Sequence, residues 1–284
     1  MAEKTILIAD SGSTKTDWCL IRNQRKTMYS TQGINPYFMQ SEEIARLLHH
    51  ELKINTSPDE IHFYGAGISS TDKQNSILKA LKTRFESRKI QCHSDILAAA
   101  RACCGTEKGI VAILGTGSNS CLYNGKKITF KTPSLGYILG DEGGGTQIGR
   151  KILQYYLHDI FDENLLKDFR KTFDTTQEEI LHQLYQKPFP NRYLAHFTQF
   201  AVSHRGHFMI ENILEDTLNE LFMNHLLRYP GIHKTPVSFC GSVAFYFKDI
   251  LINLCAQYEI PFGNIVQKPI AGLIHYHRKT CRAC

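Results

Sequence analysis

The sequence lacks any long hydrophobic run. No apolar stretch among its 284 residues approaches the roughly 18–20 residues that span a bilayer. The opening residues, Met1-Ala2-Glu3-Lys4, lead directly into a predicted strand rather than into the apolar region of a secretory signal peptide. These absences argue against a membrane protein and favour a cytoplasmic one.

Clustered charge and ligand-spaced cysteines or histidines are missing as well. The formal net charge is only +6, and the lysines and arginines are scattered, so we expect no nucleic-acid partner. The nine cysteines are an odd number, which is typical of reduced thiols in a cytosolic protein. The C-x-x-C motif at Cys281–Cys284 has no second pair, and the histidines lack a spacing such as H-E-x-x-H. We therefore expect no zinc site.

The sequence does contain the same glycine turn twice, about one domain apart. In Asp10–Asp17 and again in Gly115–Ser120, an apolar run leads into the turn and a second apolar run follows it. Gly12 and Gly117 occupy matching places, each followed by a serine. Such turns combine conformationally free glycines, backbone N–H groups and short hydroxyls, which suit phosphate oxygens. The predicted triphosphate contacts are Gly12, Ser13, Thr14, Lys15, Gly115, Thr116 and Gly117.

Strand and helix patterns alternate after each turn, which predicts two α/β domains. The first covers 1–107 and the second 108–269, and a C-terminal helix at 270–284 is a candidate to join the first domain. In the second domain, a helical insert at about 145–230 separates the early strands from a strand at 236–240. No low-complexity segment or long linker occurs, so we expect a duplicated α/β chain.

Four glycine-rich segments occur in an order that resembles one known family. They are Asp10–Asp17, Leu114–Asn119, Gly136–Gly143 and Cys240–Val243. In that order they resemble the two phosphate turns, the sugar-side loop and the adenosine turn of the N-acetylglucosamine kinase family. This family, of the BadF/BadG/BcrA/BcrD type, is part of the actin-like ATPase superfamily of sugar kinases and heat-shock chaperones. Serines stand at positions 11 and 13, where relatives often have glycine.

The resemblance implies an actin-like ATPase fold, also called ribonuclease H-like, with two duplicated domains around a nucleotide cleft. It implies ATP and Mg²⁺ as cofactors and a small-molecule amino sugar as substrate. The implied reaction converts N-acetylglucosamine to N-acetylglucosamine 6-phosphate. N-acetylmuramate, glucosamine and N-acetylmannosamine are alternative substrates, because they differ from it by only one or two groups. A homodimer is the oligomer expected from base rates.

Two other functions stay open at the level of sequence. One is the ATPase activator of 2-hydroxyacyl-CoA dehydratases, which is similar in fold and needs a subunit-bridging iron–sulfur cluster. Cys103 and Cys104 are adjacent, however, rather than spaced as such ligands usually are. The other is a nucleotide-dependent sugar sensor without catalytic activity. Brown colour in protein purified without oxygen would mark the activator, and sugar-stimulated ADP release would separate a kinase from a sensor.

Two aspartates are candidates for the chemistry of phosphoryl transfer. Asp10 ends the first predicted strand, and we assign it to Mg²⁺ through bound water, because Mg²⁺ gives up its hydration reluctantly. A turn-capping role is the alternative. Asp95 precedes an alanine-rich helix at 96–104, where the family has its catalytic aspartate. It is the candidate general base for the sugar hydroxyl, and a helix N-cap is the alternative.

The remaining candidate site residues follow from the matched segments. The implied sugar-binding residues, besides Asp95, are Asn35, Ser118, Asn119, Gly136 and Asp141. Asn35 lies in a loop that the following proline holds extended. The implied adenosine contacts are Gly241 and Ser242, directly before a helix predicted over 243–257. For Asn35, Asp141 and Ser242, a structural turn or cap role is the alternative.

Overall fold

Each half of the chain folds around its own five-stranded sheet. The computed structural model describes residues 4–12, 14–23, 25–68 and 70–282. These residues form two compact units. The first unit contains the residues up to Glu107, the short Gly125–Lys127 segment and the residues from Lys268 onward. The second unit contains Lys108–Asn124 and Ile128–Gln267.

The first unit opens with three consecutive strands and then alternates helices with strands. Its sheet has the order β3-β2-β1-β4-β5. Up to Glu107 its elements are β1 (Ile6–Ser11), β2 (Lys15–Arg22), β3 (Arg25–Gln32), α1 (Ser41–Glu51), β4 (Glu60–Gly65), α2 (Thr71–Arg84), β5 (Lys89–Ser94) and α3 (Asp95–Cys104).

The second unit has a mostly helical middle section between its early and late strands. Its elements are β6 (Lys108–Leu114), β7 (Ser118–Asn124), β8 (Ile128–Phe130), α4 (Gly136–Leu139), α5 (Gly145–Leu157), α6 (Glu163–Phe173), α7 (Gln177–Gln186), α8 (Pro190–His196), α9 (Thr198–Ser203), α10 (Phe208–Asn224), β9 (Val237–Cys240), α11 (Ser242–Tyr246), α12 (Lys248–Gln257) and β10 (Phe262–Val266). The sheet order is β10-β9-β6-β7-β8. The chain then returns to the first unit with α13 (Pro269–Arg282).

Both sheets follow the same plan. Each starts with three consecutive antiparallel strands and adds two strands parallel to the first one, on its other side. This repeated topology confirms the predicted duplicated α/β architecture. Within the described ranges, no helix combines the length and the apolar character needed to cross a membrane.

The central strands of the first sheet are buried on both faces because their residues alternate between two cores. Leu7 and Ala9 of β1 pack with Trp18 and Phe63 in the core that includes residues of α1 and α2. Their neighbours Ile6 and Ile8 point to the opposite face, where the core includes residues of α3 and α13. Strands covered on both faces read as continuous apolar runs, which explains the sequence pattern of β1.

The strand directions bring several candidate residues to one edge of the first sheet. Strands β1, β3, β4 and β5 run in the same direction, so their carboxyl ends lie along the same edge. The first glycine turn follows β1, Asn35 follows β3, and Asp95 follows β5. Ligands of open α/β sheets bind at the carboxyl ends of the strands. This edge is therefore where the first unit's candidate residues are expected to act.

Candidate functional site

Three carboxylates and two lysines lie together at the carboxyl edge of the first sheet. Asp10 on β1 lies opposite Asp17 on β2, and Asp95 is the first residue of α3. Burial first, and then the negative charges of Asp17 and Asp95, raise the pKa of Asp10 to about 7, against the opposing charge of Lys268. A carboxyl group with such a pKa favours a nearby cation, because a positive charge stabilises its ionised form.

Two lysines partly offset this negative charge. The Nζ atom of Lys15 lies 2.7 Å from Oδ1 of Asp17, and the Nζ atom of Lys268 lies 4.0 Å from Oδ2 of the same residue. Lys15, which is predicted as a phosphate contact, thus forms an ion pair with Asp17, while about half of its side chain is exposed. Sequence reasoning missed Asp17 and Lys268. Asp17 was visible in the first turn motif, whereas Lys268 becomes adjacent only through the fold.

The carboxylate cluster suits a hydrated magnesium ion. Carboxylate oxygens are the protein ligands that Mg²⁺ prefers, and the ion usually keeps several waters and takes only one or two of them. In the described part of the chain, no three histidine, cysteine or carboxylate side chains are arranged around a common ion. Asp10 is buried next to the negative charges of Asp17 and Asp95, which raise its pKa, so this donor set fits the magnesium role that the sequence predicts for Asp10.

Asp95 occupies the first position of α3 rather than the N-cap. The N-cap residue is Ser94, whose side chain makes no capping hydrogen bond. Oδ1 of Asp95 accepts a 2.8 Å hydrogen bond from the backbone N–H of Ile96. This contact fixes one oxygen of the carboxylate in the first turn of the helix. The N-cap alternative is therefore wrong in position, although Asp95 does satisfy one backbone donor there.

The first glycine turn is tied to the loop that carries Asn35. The Ser11 hydroxyl lies 2.8 Å from Oγ1 of Thr16, and it contacts both the carbonyl oxygen (3.0 Å) and the N–H (2.9 Å) of Ile34. Inside the turn, the Gly12 N–H donates to the Lys15 carbonyl at 2.9 Å. That donor is therefore already used within the protein.

Asn35 and Thr14, two further candidates of the first unit, lie near this turn. Oδ1 of Asn35 accepts a 3.0 Å hydrogen bond from the Tyr37 N–H, as the structural alternative for this residue requires. Thr14 is exposed at the turn. Ser13, also predicted as a phosphate contact, lies outside the described residues.

In the second unit, the second glycine turn touches the sugar-side loop. A Cβ atom on Gly117 would overlap the carboxylate of Asp141, so only glycine allows this approach. Oδ1 of Asp141 accepts a hydrogen bond from the Ser118 N–H at 3.2 Å. Burial raises the pKa of Asp141, and the Ser118 N–H opposes that rise. The fold therefore brings two of the predicted sugar-binding residues, Ser118 and Asp141, into contact.

The Ser118 hydroxyl is a candidate ligand group. Its Oγ atom is buried and has no hydrogen-bond partner among the described residues, which is uncommon in folded proteins and calls for a reason such as a ligand. Asn119, by contrast, uses Oδ1 to accept from the Ser120 N–H at 2.9 Å. Gly136 lies apart from these contacts, at the start of α4, with a φ of 71°.

A cavity of about 420 Å³ opens beside the second glycine turn. It brings together three predicted nucleotide contacts, Gly115, Thr116 and Ser242. Sequence reasoning missed the rest of its lining, most of which comes from the helical middle section, where the sequence shows only amphipathic patterns. The other lining residues are Gly145, Ala195, Thr198, Gln199, Val202, Ser203, Val243, Tyr246 and Phe247. The volume falls in the range of roughly 300–1,000 Å³ that is usual for small-molecule sites.

Gly241 forms the sharp turn that directly precedes Ser242. Its φ is 118°, and a Cβ atom there would overlap the Leu114 carbonyl oxygen, so the turn requires glycine. The helix predicted over 243–257 is wrong as a single element, since it is interrupted at Phe247. Ser242 therefore begins a helix of five residues rather than a long one. It also lines the cavity.

Comparison with known proteins places the chain in a family. The sequence profile of the BadF/BadG/BcrA/BcrD ATPase family matches residues 9–249. The chain belongs to this family. A solved structure described as a candidate N-acetylglucosamine kinase from Porphyromonas gingivalis is 37% identical, covers 96% of this chain and 99% of its own, and superposes with a TM-score of 0.91.

Two more distant matches extend this result. The N-acetylmuramic acid/N-acetylglucosamine kinase of Clostridium acetobutylicum is 26% identical over 78% of this chain and 78% of its own. The structure of MreB 5 from Spiroplasma citri is 10% identical, covers 99% of this chain and 98% of its own, and has a TM-score of 0.54, so it shows the fold alone. The family's fold is that of the actin-like ATPases, which confirms the predicted fold class.

Proposed function

We propose that this member of the BadF/BadG/BcrA/BcrD ATPase family is an ATP-dependent amino-sugar kinase that phosphorylates N-acetylglucosamine on its 6-hydroxyl. The single observation that carries the chemistry is the placement of Asp95 in the same carboxylate cluster as Asp10. The substrate class is supported by the N-acetylglucosamine kinase names of the relatives. The two units correspond in this proposal to the N-terminal and C-terminal actin-like ATPase domains, with α13 in the first.

In this proposal the nucleotide binds to the second unit through its base and sugar. The 420 Å³ cavity takes adenosine, and its lining includes Ser242, Tyr246 and Thr198. Gly115, Thr116 and Gly117 of the second turn face the phosphates. In the first unit, Gly12, Ser13 and Thr14 face the phosphates as well, and Lys15 moves its positive charge from Asp17 to a phosphate oxygen.

Asp10 would hold the magnesium ion through water. When bound, Mg²⁺ would neutralise charge that develops on the transferring phosphoryl group. Because the pKa of Asp10 is raised to about 7, its carboxyl group is only partly ionised near neutral pH. Asp10 would therefore release its proton on holding the ion.

Asp95 accepts the proton of the 6-hydroxyl as the bond forms. The sugar oxygen attacks the γ-phosphorus, the bond from that phosphorus to the β–γ bridging oxygen breaks, and ADP leaves with the electron pair. One oxygen of Asp95 accepts a hydrogen bond from the Ile96 N–H, and this contact orients the carboxylate that takes the proton. A general base of this kind contributes about 10²–10⁴ in rate.

The sugar is oriented by short polar groups from both glycine-turn regions. Asp141 accepts hydrogen bonds from sugar hydroxyls, and the buried Ser118 Oγ atom gains the partner that the protein does not provide. Asn35, Asn119 and Gly136 complete the proposed set. Burial raises the pKa of Asp141, so a ligand hydroxyl that donates to it stabilises the ionised form.

The test is ADP release with Mg-ATP and each of five sugars, measured for the wild type and for Asp95→Asn. The sugars are N-acetylglucosamine, N-acetylmuramate, glucosamine, N-acetylmannosamine and glucose. We expect N-acetylglucosamine to stimulate the wild type and Asp95→Asn to lose about 10²–10⁴ in kcat, since asparagine can still accept from the Ile96 N–H.

Asp72→Asn is the matched control, because Asp72 is an exposed aspartate in the first turn of α2 in the same unit. It should retain wild-type turnover. A wild type that binds ATP but shows no sugar-stimulated ADP release would rule out the kinase, and an Asp95→Asn variant with full turnover would rule out the proposed base.

A further inference from the structure

A continuous chain of buried polar side chains lies behind the sugar-side segments of the second unit. Oε2 of Glu142 lies 2.8 Å from Nε2 of His225, and Nδ1 of His225 lies 3.0 Å from Oγ1 of Thr132. Thr132 continues to the Ser120 hydroxyl at 2.8 Å. The Tyr229 hydroxyl closes the group, 2.8 Å from Ser120. Every link is within hydrogen-bond distance.

The members of this chain are shielded from water. His225 is 6% exposed, Thr132 4%, Tyr229 2% and Ser120 1%, while the Glu142 side chain is 13% exposed. Buried hydrogen-bonded networks of this kind hold their members in one arrangement, because an unpaired polar group in the interior is costly. The side chain of Glu142 is therefore held by His225, and the side chain of Ser120 is held by Thr132 in addition to the pairing of β7 with β6.

Two members of this hydrogen-bonded network, Glu142 and Ser120, are sequence neighbours of residues proposed to bind the sugar. Glu142 directly follows Asp141, and Ser120 directly follows Asn119. One backbone step therefore separates the network from each of the two segments that face the substrate. Since the Asp141 side chain also contacts the N–H of Ser118, the two segments are joined on the ligand side as well.

The backbone of Asp141 has an uncommon conformation. Its φ is 60°, in the left-handed region that few non-glycine residues adopt, although aspartate does so more readily than most. The Gly144 N–H donates to its carbonyl at 2.9 Å, and the Gly143 N–H donates to Oε1 of Gln147 at 2.7 Å. Those bonds hold the segment after Asp141, whereas His225 and Asn224 hold the side chain of Glu142 itself.

We propose that His225 is a positioning residue of the sugar site, which fixes Asp141 through Glu142 and the Ser118–Asn119 segment through Thr132 and Ser120. This inference rests on the proposed kinase function. His225 touches neither substrate in this account. It sets the distance between the two groups of sugar ligands, and misplacing such groups by about 1 Å costs up to about 10²-fold in enzyme efficiency.

A merely structural role for His225 predicts a different result, and α10 offers the control. His225 is the C-cap residue of α10, and His207 is its N-cap residue. His207 also pairs with a carboxylate, with Nε2 at 2.8 Å from Oδ2 of Asp162. Both histidines therefore make a pair of the same type and length at the ends of one helix, but only His225 leads to the sugar-side segments.

The experiment measures KM for N-acetylglucosamine, KM for ATP and kcat in His225→Leu, His225→Gln and His207→Leu. We expect His225→Leu to raise the sugar KM about 10- to 100-fold with the ATP KM within about twofold of the wild type. His225→Gln, whose amide can still donate to Glu142, should recover part of the loss. His207→Leu should leave both KM values within about twofold. Should His225→Leu fail to fold, Glu142→Gln tests the same link and should raise the sugar KM selectively.

The outcomes are distinguishable. An active wild type whose His225 and Glu142 variants keep the wild-type sugar KM, or raise the sugar and ATP KM values equally, overturns this inference and leaves the kinase proposal intact. A wild type without sugar-dependent ADP release overturns the proposed function, and the inference falls with it.

Discussion

Asp10 is held in a position that disfavours its own charge. Its folded pKa of about 7 lies above the ordinary aspartate value of 3.8, because it is buried beside Asp17 and Asp95. Between pH 3.8 and about 7, Asp10 therefore takes up a proton on folding, because the same carboxyl group is ionised in the unfolded chain. An ionised Asp10 without a bound cation lowers the free energy of unfolding, because its charge is buried beside two other carboxylates. Such a loss of stability is common at functional sites.

Replacing this carboxylate should stabilise the protein while it removes activity. Since the folded pKa of Asp10 is raised, its contribution to stability is present below pH 3.8 and is lost as pH rises through about 7. We expect Asp10→Asn to raise the free energy of unfolding by about 1–3 kcal/mol at pH 8 without Mg²⁺, and to have much less effect at pH 4. Sugar-dependent ADP release should fall below detection.

Urea unfolding at the two pH values, in the presence of a chelator, measures this difference. Asp72→Asn serves again as the control, since Asp72 is exposed and lies on α2, outside the carboxylate cluster. An Asp10→Asn variant no more stable than the wild type at pH 8 contradicts the electrostatic account of this site.

At the level of elements, the strands and the turns were predictable because their signals are local. The apolar run of β1 and the glycine turn after it mark the end of a buried strand, and the alanine-rich pattern of α3 marks a helix after β5. Asp10 and Asp95 could therefore be assigned to strand ends from the sequence. What brings them to the same edge is the parallel pairing of β1, β4 and β5, which the order of elements suggests but no single residue encodes.

The parts that sequence could not supply depend on contacts between distant segments. Lys268 reaches the cluster from just before α13, and Thr198 lines the 420 Å³ cavity from the helical middle section. The interruption of the helix at Phe247 is of the same kind, because Phe247 is fully buried in the second unit's core. Tertiary packing outweighs local helix propensity at such a position.

Ser11 shows how one side chain joins three elements, which gives a prediction at this scale. Its hydroxyl links the end of β1 to Thr16 on β2 and to Ile34 before the Asn35 loop. We expect Ser11→Ala to lower the free energy of unfolding by about 1–3 kcal/mol, because buried partners lose their hydrogen bonds. The sugar KM should rise as well, since the Asn35 loop loses its anchor.

Thr83→Ala is the comparison for Ser11→Ala, because the Thr83 hydroxyl only donates to its own helix, to the Lys79 carbonyl at 3.0 Å. Chemical unfolding and steady-state kinetics on both variants decide the question. Equal losses of stability in the two variants would show that the contacts of Ser11 between separate segments stabilise the fold no more than a hydrogen bond within one helix.

For the whole molecule, a cluster of neutral histidines makes stability depend on pH. Between the first sheet and α13, the rings of His62 and His277 are 4.0 Å apart, and Nε2 of His277 lies 2.8 Å from the Tyr64 hydroxyl. Burial first, and then nearby positive charge including Arg101, lowers the pKa of His62 and His93 to about 4 and that of His277 to about 2. For His62, Glu60 opposes this shift.

These shifts predict a loss of stability in acid. The folded pKa values lie below the ordinary 6.5, so the stability they contribute is complete above pH 6.5 and is lost as pH falls toward 4. Each group contributes up to about 1.4 kcal/mol per pH unit in that window. Asp10 acts in the opposite direction over the same range, so the net dependence corresponds to about two protons, from three histidines less one aspartate.

Unfolding free energies measured between pH 7.5 and 5 test this, with His277→Phe as the variant that removes one member of the cluster. The wild type should lose stability steeply as the pH falls, and His277→Phe should show a shallower slope. A stability that stays flat over this range would mean that the buried histidines do not govern the acid response.

The return of the chain to its first unit has a consequence for how the protein is made. Residues 108–267 leave the ribosome before α13, whose Ile270, Leu273 and Ile274 complete one core of the first sheet. The second unit can therefore reach its native structure while the first still lacks a helix and the lysine beside its carboxylates. A nascent chain whose translation stops before α13 would carry the 420 Å³ cavity of the second unit without a finished first unit, so under the proposed function it would not yet transfer phosphate.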